Sequence, residues 1–148
     1  MAVTRTGLYV NTVTVGFTPL GGSLSPVARI TKSSFDGGIQ NISFKGDGDL
    51  FDTYQGNVSQ VPSITLEGGD VGSLLNSSAG VIGTLSGIWP DARNGKGSGS
   101  YALSWSLANC QLSDKSSQSP HANLASGSNS FTAFSSDGTT NPFTFTVL

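Results

Sequence analysis

Charge is what this sequence has least of. Only 7 Lys or Arg and 9 Asp or Glu occur in 148 residues, so charged side chains make up 11% of the chain, against about 25% in a typical soluble domain. Glutamate occurs once, as Glu67. Helical bundles and coiled coils are rich in Glu, Lys and Ala, so this composition excludes them. A net charge of −2 also argues against a protein that grips nucleic acid phosphates.

Cysteine and long apolar runs are scarce too. The one cysteine, Cys110, has no partner for an internal disulfide, and its apolar neighbours predict a small buried side chain. No apolar run approaches the roughly 20 residues of a membrane-spanning helix, and residues 1–6 lack the apolar stretch of a signal peptide. We therefore expect a protein that is made and used in the cytosol and has no membrane partner.

Few side chains of this sequence are of the kinds that catalyse reactions or bind metal ions. The only histidine, His121, lies in a polar run that predicts a loop, and no Gly-x-Ser-x-Gly elbow occurs. One Cys and one His cannot supply the four ligands of a zinc site. A calcium loop that starts at Asp47 would need Glu where the chain has Val58, so we expect a tight turn at Asp47-Gly48-Asp49. The sequence predicts no enzyme, no cofactor and no metal.

What the sequence does have is Gly, Ser and Thr, with apolar residues at every second position. This period of two is typical of strands with one buried face, and it is clearest in residues 13–17, 101–107 and 143–147. It makes Trp105 a core residue. The apolar phase shifts at Leu107 and Ala108, which predicts a β-bulge or a strand that changes sheets.

Weaker patterns complete the predicted fold. Further strands are expected at 27–33, 39–45, 54–66 with a break at Pro62, 80–88 and 122–134. Asp70 can cap a helix of about two turns. Runs rich in Ser, Gly and Pro, at 18–26, 89–100 and 113–130, predict long loops. The expected fold is one mainly β domain over residues 1–148, an antiparallel β-sandwich or barrel with one short flanking α-helix.

Two features suggest where a partner binds. Residues 1–45 carry Arg5, Arg29, Lys32 and Lys45 against Asp36, a net charge of +3, and the rest of the chain carries −5. This asymmetry is either small-number scatter or a basic arm that lies against an acidic face of a neighbouring subunit. Trp89-Pro90 is expected in a turn, where an exposed indole could stack on a sugar or dock into a neighbour. Arg29, Lys32, Trp89 and Pro90 are therefore the candidate interaction residues.

From residue 38 onward the order of motifs resembles the tail tube proteins, or major tail proteins, of long-tailed bacteriophages. The matching pieces are ISFKGDGD at 42–49, ITLEGGDVGSLL at 64–75, GVIGTLS at 80–86, a Gly-rich loop into Tyr101, and FTAFSSDGTTNPF at 131–143. Residues 1–37, an N-terminal arm or strand with a loop, match no part of that family. Residues 113–122 look like an enlarged loop.

The resemblance implies a structural virion protein without catalysis. Its copies would join into stacked hexameric rings that form a hollow tube, contacting themselves and other tail proteins while viral DNA passes without specific binding. The expected location is the virion tail, after assembly in the host cytoplasm. Two alternatives stay open: a carbohydrate-binding β-sandwich module of an adhesin, suggested by Trp89 and the polar loops, and another phage particle protein such as a neck or decoration subunit.

Overall fold

The computed structural model describes residues 15–26, 30–69, 71–75, 77–89 and 103–147 of the chain. The elements found there are β1 (Val15–Pro19), β2 (Ser25–Pro26), β3 (Lys32–Asp36), β4 (Ile39–Phe44), β5 (Tyr54–Gln60), β6 (Ser63–Gly68), α1 (Val71–Leu75), β7 (Gly83–Trp89), β8 (Leu103–Gln118), β9 (Ser126–Ala133) and β10 (Phe143–Val147). All strand pairs are antiparallel. This confirms the predicted mainly β fold. No helix among these elements is long and apolar enough to cross a membrane.

Strand β8 joins two sheets. Along one edge it pairs with β7, and along the other it pairs first with β10 and then, from Cys110 onward, with β9. The eight strands form one continuous hydrogen-bonded sheet in the order β2-β1-β7-β8-β9-β6-β3, with β10 beside the first half of β8. We call its two parts, β2-β1-β7-β8-β10 and β8-β9-β6-β3, the first and the second sheet. Their inner faces meet, because the rings of Phe17 in the first sheet and Phe131 in the second lie 5.7 Å apart. The result is a β-sandwich in which one long strand serves both layers.

A β-bulge lies where the sequence predicts the phase shift. Leu85 pairs with Leu107 and Gly83 with Cys110, so two residues of β8 stand opposite one of β7. Asn109, within this bulge, has a φ of 50°. The buried set therefore passes from Leu107 to Cys110, and β8 changes its partner from β10 to β9 at the same place.

The core lies between the sheets. Trp105 is 1% exposed and Cys110 is fully buried, as predicted. Gly87 faces Trp105 across the strand pair, and a Cβ there would lie 2.6 Å from the indole ring, so glycine makes room for it. The other core residues are Val15, Ile30, Ile64, Leu66, Leu74, Leu85, Leu103, Leu107, Phe131 and Ala133.

Helix α1 closes one end of the core. It is shorter than the predicted two turns, and its expected cap, Asp70, lies outside the described residues. The Asn129 amide donates to the carbonyl of Leu74 at 3.0 Å, and the Lys115 ammonium donates to those of Leu75 at 3.0 Å and Ser77 at 3.2 Å. The last carbonyls of a helix have no partner within it, so these two side chains fix α1 to β8 and β9.

One predicted loop is wrong, and another is shorter than expected. Residues 113–130 are mostly strand, with β8 continuing to Gln118 and β9 beginning at Ser126. The hydroxyls of Ser116 and Ser128 share a hydrogen bond at 3.0 Å, so cross-strand hydroxyl pairs support this part of the sheet. The run 18–26 includes the end of β1 and all of β2. Of the third run, 89–100, only Trp89 is described, and it ends β7.

Candidate assembly surface

The chain leaves the second sheet through a turn that requires glycine. Strands β3 and β6 pair as far as Asp36 and Ser63, and beyond these residues the polypeptide continues as the β4–β5 hairpin. Gly38 accepts a hydrogen bond from the amide of Val61 at 3.1 Å and has a φ of 58°. A Cβ at Gly38 would lie 2.0 Å from the Val61 carbonyl oxygen. No other residue fits this junction without moving the backbone.

The hairpin has one apolar and one polar face. Ile42 pairs with Gly56 and Phe44 with Tyr54, so these side chains share a face, on which the Tyr54 ring lies over Gly56. The opposite face carries Asn41, Ser43, Gln55 and Asn57. This is the pattern of a strand pair that rests its apolar side on something else.

In the described structure nothing covers the apolar side. The two strands form a sheet of their own and pair only with each other among the described residues. Eight large apolar side chains, which we call the hairpin patch, are between 47 and 78% exposed: Ile39, Ile42, Phe44, Leu50, Phe51, Tyr54, Val58 and Val61. These side chains do not all share one face: Ile42, Phe44 and Tyr54 do, whereas Ile39 lies on the side of Asn41. Exposed apolar surface marks interaction sites, and an isolated two-stranded hairpin is only marginally stable. The hairpin patch is the candidate functional surface.

The tip of the hairpin is acidic and tightly turned. Asp49 donates its amide to the Gly46 carbonyl at 3.0 Å, and the amide of Thr53 donates to the Phe44 carbonyl at 2.8 Å, as expected for a tight turn. Asp47, Asp49 and Asp52 lie in this turn with Lys45. Within the described ranges, no group of three or more His, Cys, Asp or Glu could hold a metal ion.

A fixed loop stands beside the base of the hairpin. The Asp137 carboxylate accepts hydrogen bonds from the Thr140 hydroxyl at 2.6 Å, the amides of Thr140 and Thr139 at 2.7 and 2.8 Å, and the Ser135 hydroxyl at 2.8 Å. These bonds, led by that of the Thr140 hydroxyl, hold the pKa of Asp137 well below its ordinary range. A groove of about 270 Å³ separates this loop from β5. The loop is thus ordered without regular secondary structure.

The candidate residues named from the sequence do not form one site. Trp89 is the last residue of β7, paired with Leu103, and its half-buried indole donates to the Ser33 hydroxyl at 3.0 Å. The predicted turn and exposed indole are therefore wrong, because the strand runs one residue further than its pattern indicated. Lys32 is exposed on β3, on the face opposite to Ser33. Arg29 and Pro90 lie outside the described residues.

The reactive side chains offer no catalytic grouping in the described structure. The Cys110 thiol donates to the Gly83 carbonyl at 3.4 Å, and burial raises its pKa, so it is a poor nucleophile. His121 lies in the exposed turn between β8 and β9, as predicted.

Sequence reasoning missed the hairpin patch itself. The alternation in 39–45 and 54–66 shows which residues share a face, but it does not show that the face lacks a partner. One signal was available. Leu50 and Phe51 form an apolar pair within a turn of Asp and Gly, where a monomer gains nothing from them.

The fold is shared with solved chains of an anti-feeding prophage cap and of an extracellular contractile injection system. No protein-family model matches the sequence, and no curated protein is significantly similar to it. A chain of the anti-feeding prophage cap, a tube-terminating cap, superposes with a TM-score of 0.55 at 16% identity over 100% of this chain and 95% of that one.

Two further similar chains come from an extracellular contractile injection system named PVC. One, in the sheath–tube complex in its extended state, has a TM-score of 0.55 at 14% identity and covers 94% of this chain and 92% of that one. The other, in the sheath/tube terminator, has a TM-score of 0.54 at 12% identity and covers 98% and 99%. At these identities the likeness establishes a common fold over nearly the whole length of each chain.

Proposed function

We propose that this chain is a structural subunit of a phage-tail-like tube, which self-associates into stacked hexameric rings around a channel. The observation that carries the proposal is the hairpin patch, an amphipathic strand pair whose apolar face is uncovered in the described structure. The fold supports it, since the similar chains belong to a tube-terminating cap, a sheath–tube complex and a sheath/tube terminator.

The size of the patch suits a stable contact. Three of its eight side chains are aromatic, and each aromatic ring buries ~150–250 Å² when it is covered. With the five aliphatic side chains added, the area is on the order of the ~800 Å² that each partner contributes to a standard interface. A monomer that left this area in water would be prone to aggregate, so we expect the patch to be covered in the working protein.

A free strand edge gives a second reason to expect neighbours. Strand β10 pairs only with β8 among the described residues, and its sequence, Phe-Thr-Phe-Thr-Val, has no charge, no proline and no bulge. Native proteins protect such edges or use them for association. Phe145 on this strand is 63% exposed. An edge and a separate apolar patch are the two unlike surfaces that ring formation through a heterologous contact needs.

The proposed role includes neighbours of other kinds. Other tail proteins would contact the rings at their ends or outer side, and viral DNA would pass the channel without specific binding, in keeping with the net charge of −2. The particle would be a virion tail assembled in the host cytoplasm. The subunit would do no catalysis.

The two alternative functions, a carbohydrate-binding module and another particle subunit, are not equally supported. The carbohydrate-binding module needed an exposed indole at Trp89 as a stacking platform, and that indole is half-buried and bonded to Ser33, so we do not pursue it. A related particle subunit at the end of the tube is favoured by the cap and terminator among the similar structures.

Electron microscopy of the purified protein tests the proposal. We expect negative-stain images to show rings or tubes, and light scattering to show a mass that grows with concentration. Rings that never lengthen into tubes would favour the terminal subunit over the tube subunit. A strict monomer at every concentration and salt condition would contradict self-assembly altogether.

A further inference from the structure

We propose that the Asp47–Gly48 peptide unit, at the tip of the β4–β5 hairpin, is a site of spontaneous isoaspartate formation. In this reaction the Gly48 amide nitrogen attacks the side-chain carboxyl carbon of Asp47, and the amide hydrogen leaves with the carboxyl hydroxyl as one water molecule. The succinimide ring that results takes up one water molecule again. Opening on one side restores aspartate, and opening on the other side leaves isoaspartate, in which the backbone runs through the former side chain.

The reaction needs a small residue after aspartate, because a side chain there crowds the attacking nitrogen. Glycine has none. The described residues include three Asp-Gly pairs, at 36–37, 47–48 and 137–138, and all three aspartates are exposed. Sequence and exposure therefore do not rank the three pairs, and the hydrogen bonds around each carboxylate decide which one reacts.

At the hairpin tip nothing holds the reacting groups. The amide of Asp49 donates to the Gly46 carbonyl at 3.0 Å, which makes Asp47 and Gly48 the two central residues of a tight turn. Within the described ranges, neither the Asp47 carboxylate nor the Gly48 amide has a hydrogen-bond partner. Gly48 has a φ of 85°, and nothing lies within 4 Å of the position of a Cβ there. The carboxyl carbon can thus approach the nitrogen without losing a contact.

The pair at 137–138 is fixed. Both carboxylate oxygens of Asp137 are used: one accepts from the Ser135 hydroxyl and the amides of Thr139 and Thr140, and the other accepts from the Thr140 hydroxyl. The carboxylate is therefore turned toward residues beyond Gly138 and away from the nitrogen that would attack it. The same bonds hold the pKa of Asp137 low, and a carboxyl group loses water most readily when it is protonated. This pair should react most slowly.

The pair at 36–37 is intermediate. Asp36 is the last residue of β3, where it pairs with Ser63, and its carboxylate accepts a hydrogen bond from the amide of Gly38 at 2.9 Å. The sheet restrains the backbone of Asp36, and the hydrogen bond directs the carboxylate to Gly38 rather than to Gly37. The expected order of rates is therefore residue 47, then 36, then 137.

Isoaspartate at residue 47 would change the shape of the tip but not its charge. The backbone of the turn gains one carbon atom, so the hydrogen bond between Asp49 and Gly46 would no longer close in its present geometry. The carboxylate that remains is the former main-chain carbonyl group. Mass and net charge are unchanged, so the product must be detected by its chemistry.

Ageing of the full-length protein tests the proposal. Trypsin cleaves after Lys and Arg, which places the three pairs on separate peptides, 33–45, 46–93 and 116–148, and places the Asn94-Gly95 pair, which can yield the same product, on a fourth, 94–96. Dilute protein is kept at neutral pH for several weeks. Isoaspartate methyltransferase labelling and electron-transfer fragmentation then locate the product. We expect at least roughly tenfold more isoaspartate at residue 47 than at 137, since each unit by which a carboxyl pKa falls lowers its protonated fraction about tenfold.

Two controls separate structure from sequence. In guanidinium chloride the three pairs should react alike, because only their common Asp-Gly sequence remains. Asp47→Glu should remove the product from peptide 46–93 alone, since the six-membered ring that glutamate would form closes far more slowly. Equal amounts at residues 47 and 137 in the native protein, or none at residue 47, would overturn the proposal.

A further variant tests the protection at Asp137. Ser135→Ala/Thr140→Val removes both hydroxyl donors to the carboxylate and leaves the two amides. Isoaspartate in peptide 116–148 should then rise several-fold, while that in 46–93 stays the same. Circular dichroism checks that the variant is folded. A folded variant with no rise would show that these bonds do not set the order of rates.

Discussion

The sandwich body and the β4–β5 hairpin share the same alternating pattern of apolar residues, but these residues are buried in the body and exposed in the hairpin. In β6 the alternate residues Ile64 and Leu66 are at most 1% exposed, while in β4 the alternate residues Ile42 and Phe44 are 57% and 62% exposed. Strand β6 pairs with β3 on one side and β9 on the other, whereas β4 pairs with β5 alone among the described residues. They also differ in what stands opposite the apolar face, which is a second sheet for β6 and solvent for β4. The pattern defines a face, and tertiary structure decides whether it is covered.

This difference divides the work between the two regions. The body buries its own apolar residues and accounts for the stability of the monomer. The hairpin adds little to that stability and keeps its apolar area for contacts between molecules. Changes in the body should therefore alter unfolding, and changes in the hairpin should alter assembly.

The largest effect on monomer stability is expected at Trp105. Trp105→Ala should lower the free energy of unfolding by about 3–5 kcal/mol, because it leaves a cavity between the sheets. Phe44→Ala, the matched loss of an aromatic ring in the hairpin, should change it by about 0.5 kcal/mol or less. Urea unfolding followed by tryptophan fluorescence or circular dichroism measures both. Similar losses at the two positions would remove the distinction between body and hairpin.

The junction between the two regions comes next. Gly38→Ala should destabilise the monomer by roughly 1–3 kcal/mol and disorder the hairpin, since the left-handed conformation and the nearby Val61 carbonyl leave no place for a Cβ. Gly37→Ala is the control, because a Cβ there would come no nearer than 3.7 Å to Ile39. Thermal unfolding of the two variants compares them. Equal melting temperatures would mean that Gly38 is not the hinge on which the hairpin depends.

A smaller effect on stability, with a complete effect on assembly, is expected on the hairpin face. Ile42→Ser/Phe44→Ser should shift the free energy of unfolding by about 0.5 kcal/mol or less and abolish rings or tubes. The control, Asn41→Ser/Gln55→Ser, changes the opposite face of the same strands. Electron microscopy and light scattering report assembly, and urea unfolding reports stability. Tubes in the first variant, or their loss in the control, would place the contact elsewhere.

The smallest effect is expected at Asp137. The pKa of Asp137 in the native state lies below its value in the unfolded state, so the native state binds fewer protons at acid pH. The carboxylate therefore stabilises the loop fully above the ordinary aspartate pKa of ~4. This stabilisation is lost as the pH falls through the lower native pKa. The amides of Thr139 and Thr140 should lose protection from hydrogen exchange in Asp137→Asn already at neutral pH, and in the wild type only in strong acid. Asp49→Asn is the control. Unchanged protection in Asp137→Asn would mean that the carboxylate does not hold the loop.

Much of the body could be predicted from sequence because its chemistry is local. The shift of apolar phase after Leu107 predicted the bulge, and the alternation around Trp105 predicted the core. The second half of β8, from Ser113 to Gln118, could not be predicted as strand, because its sequence, Ser-Asp-Lys-Ser-Ser-Gln, has no alternating apolar residues. The hydrogen-bonded pairs that support it, such as Ser116 with Ser128, join residues that only the fold brings together.

The candidate surface was harder to predict than the fold. Trp89 was expected in a turn because Pro90 follows it, yet β7 continues to the residue before the proline, which is a position that strands allow. The hairpin patch was hidden for a different reason. Its residues are ordinary strand residues, and only the absence of a covering layer in the described structure sets them apart.

Because β8 is part of both sheets, it affects the time course of folding. A strand that belongs to both sheets prevents either sheet from coming apart alone, so unfolding should follow a single exponential in every probe. Its partners, and pairs such as Ile64 with Phe131, are far apart in sequence, which places the chain among slow-folding β proteins. During that interval the β4–β5 hairpin, whose pairing is local, can already be formed. Fresh subunits at high concentration would then be able to touch through their hairpins before their cores are complete, and refolding yield should fall as protein concentration rises.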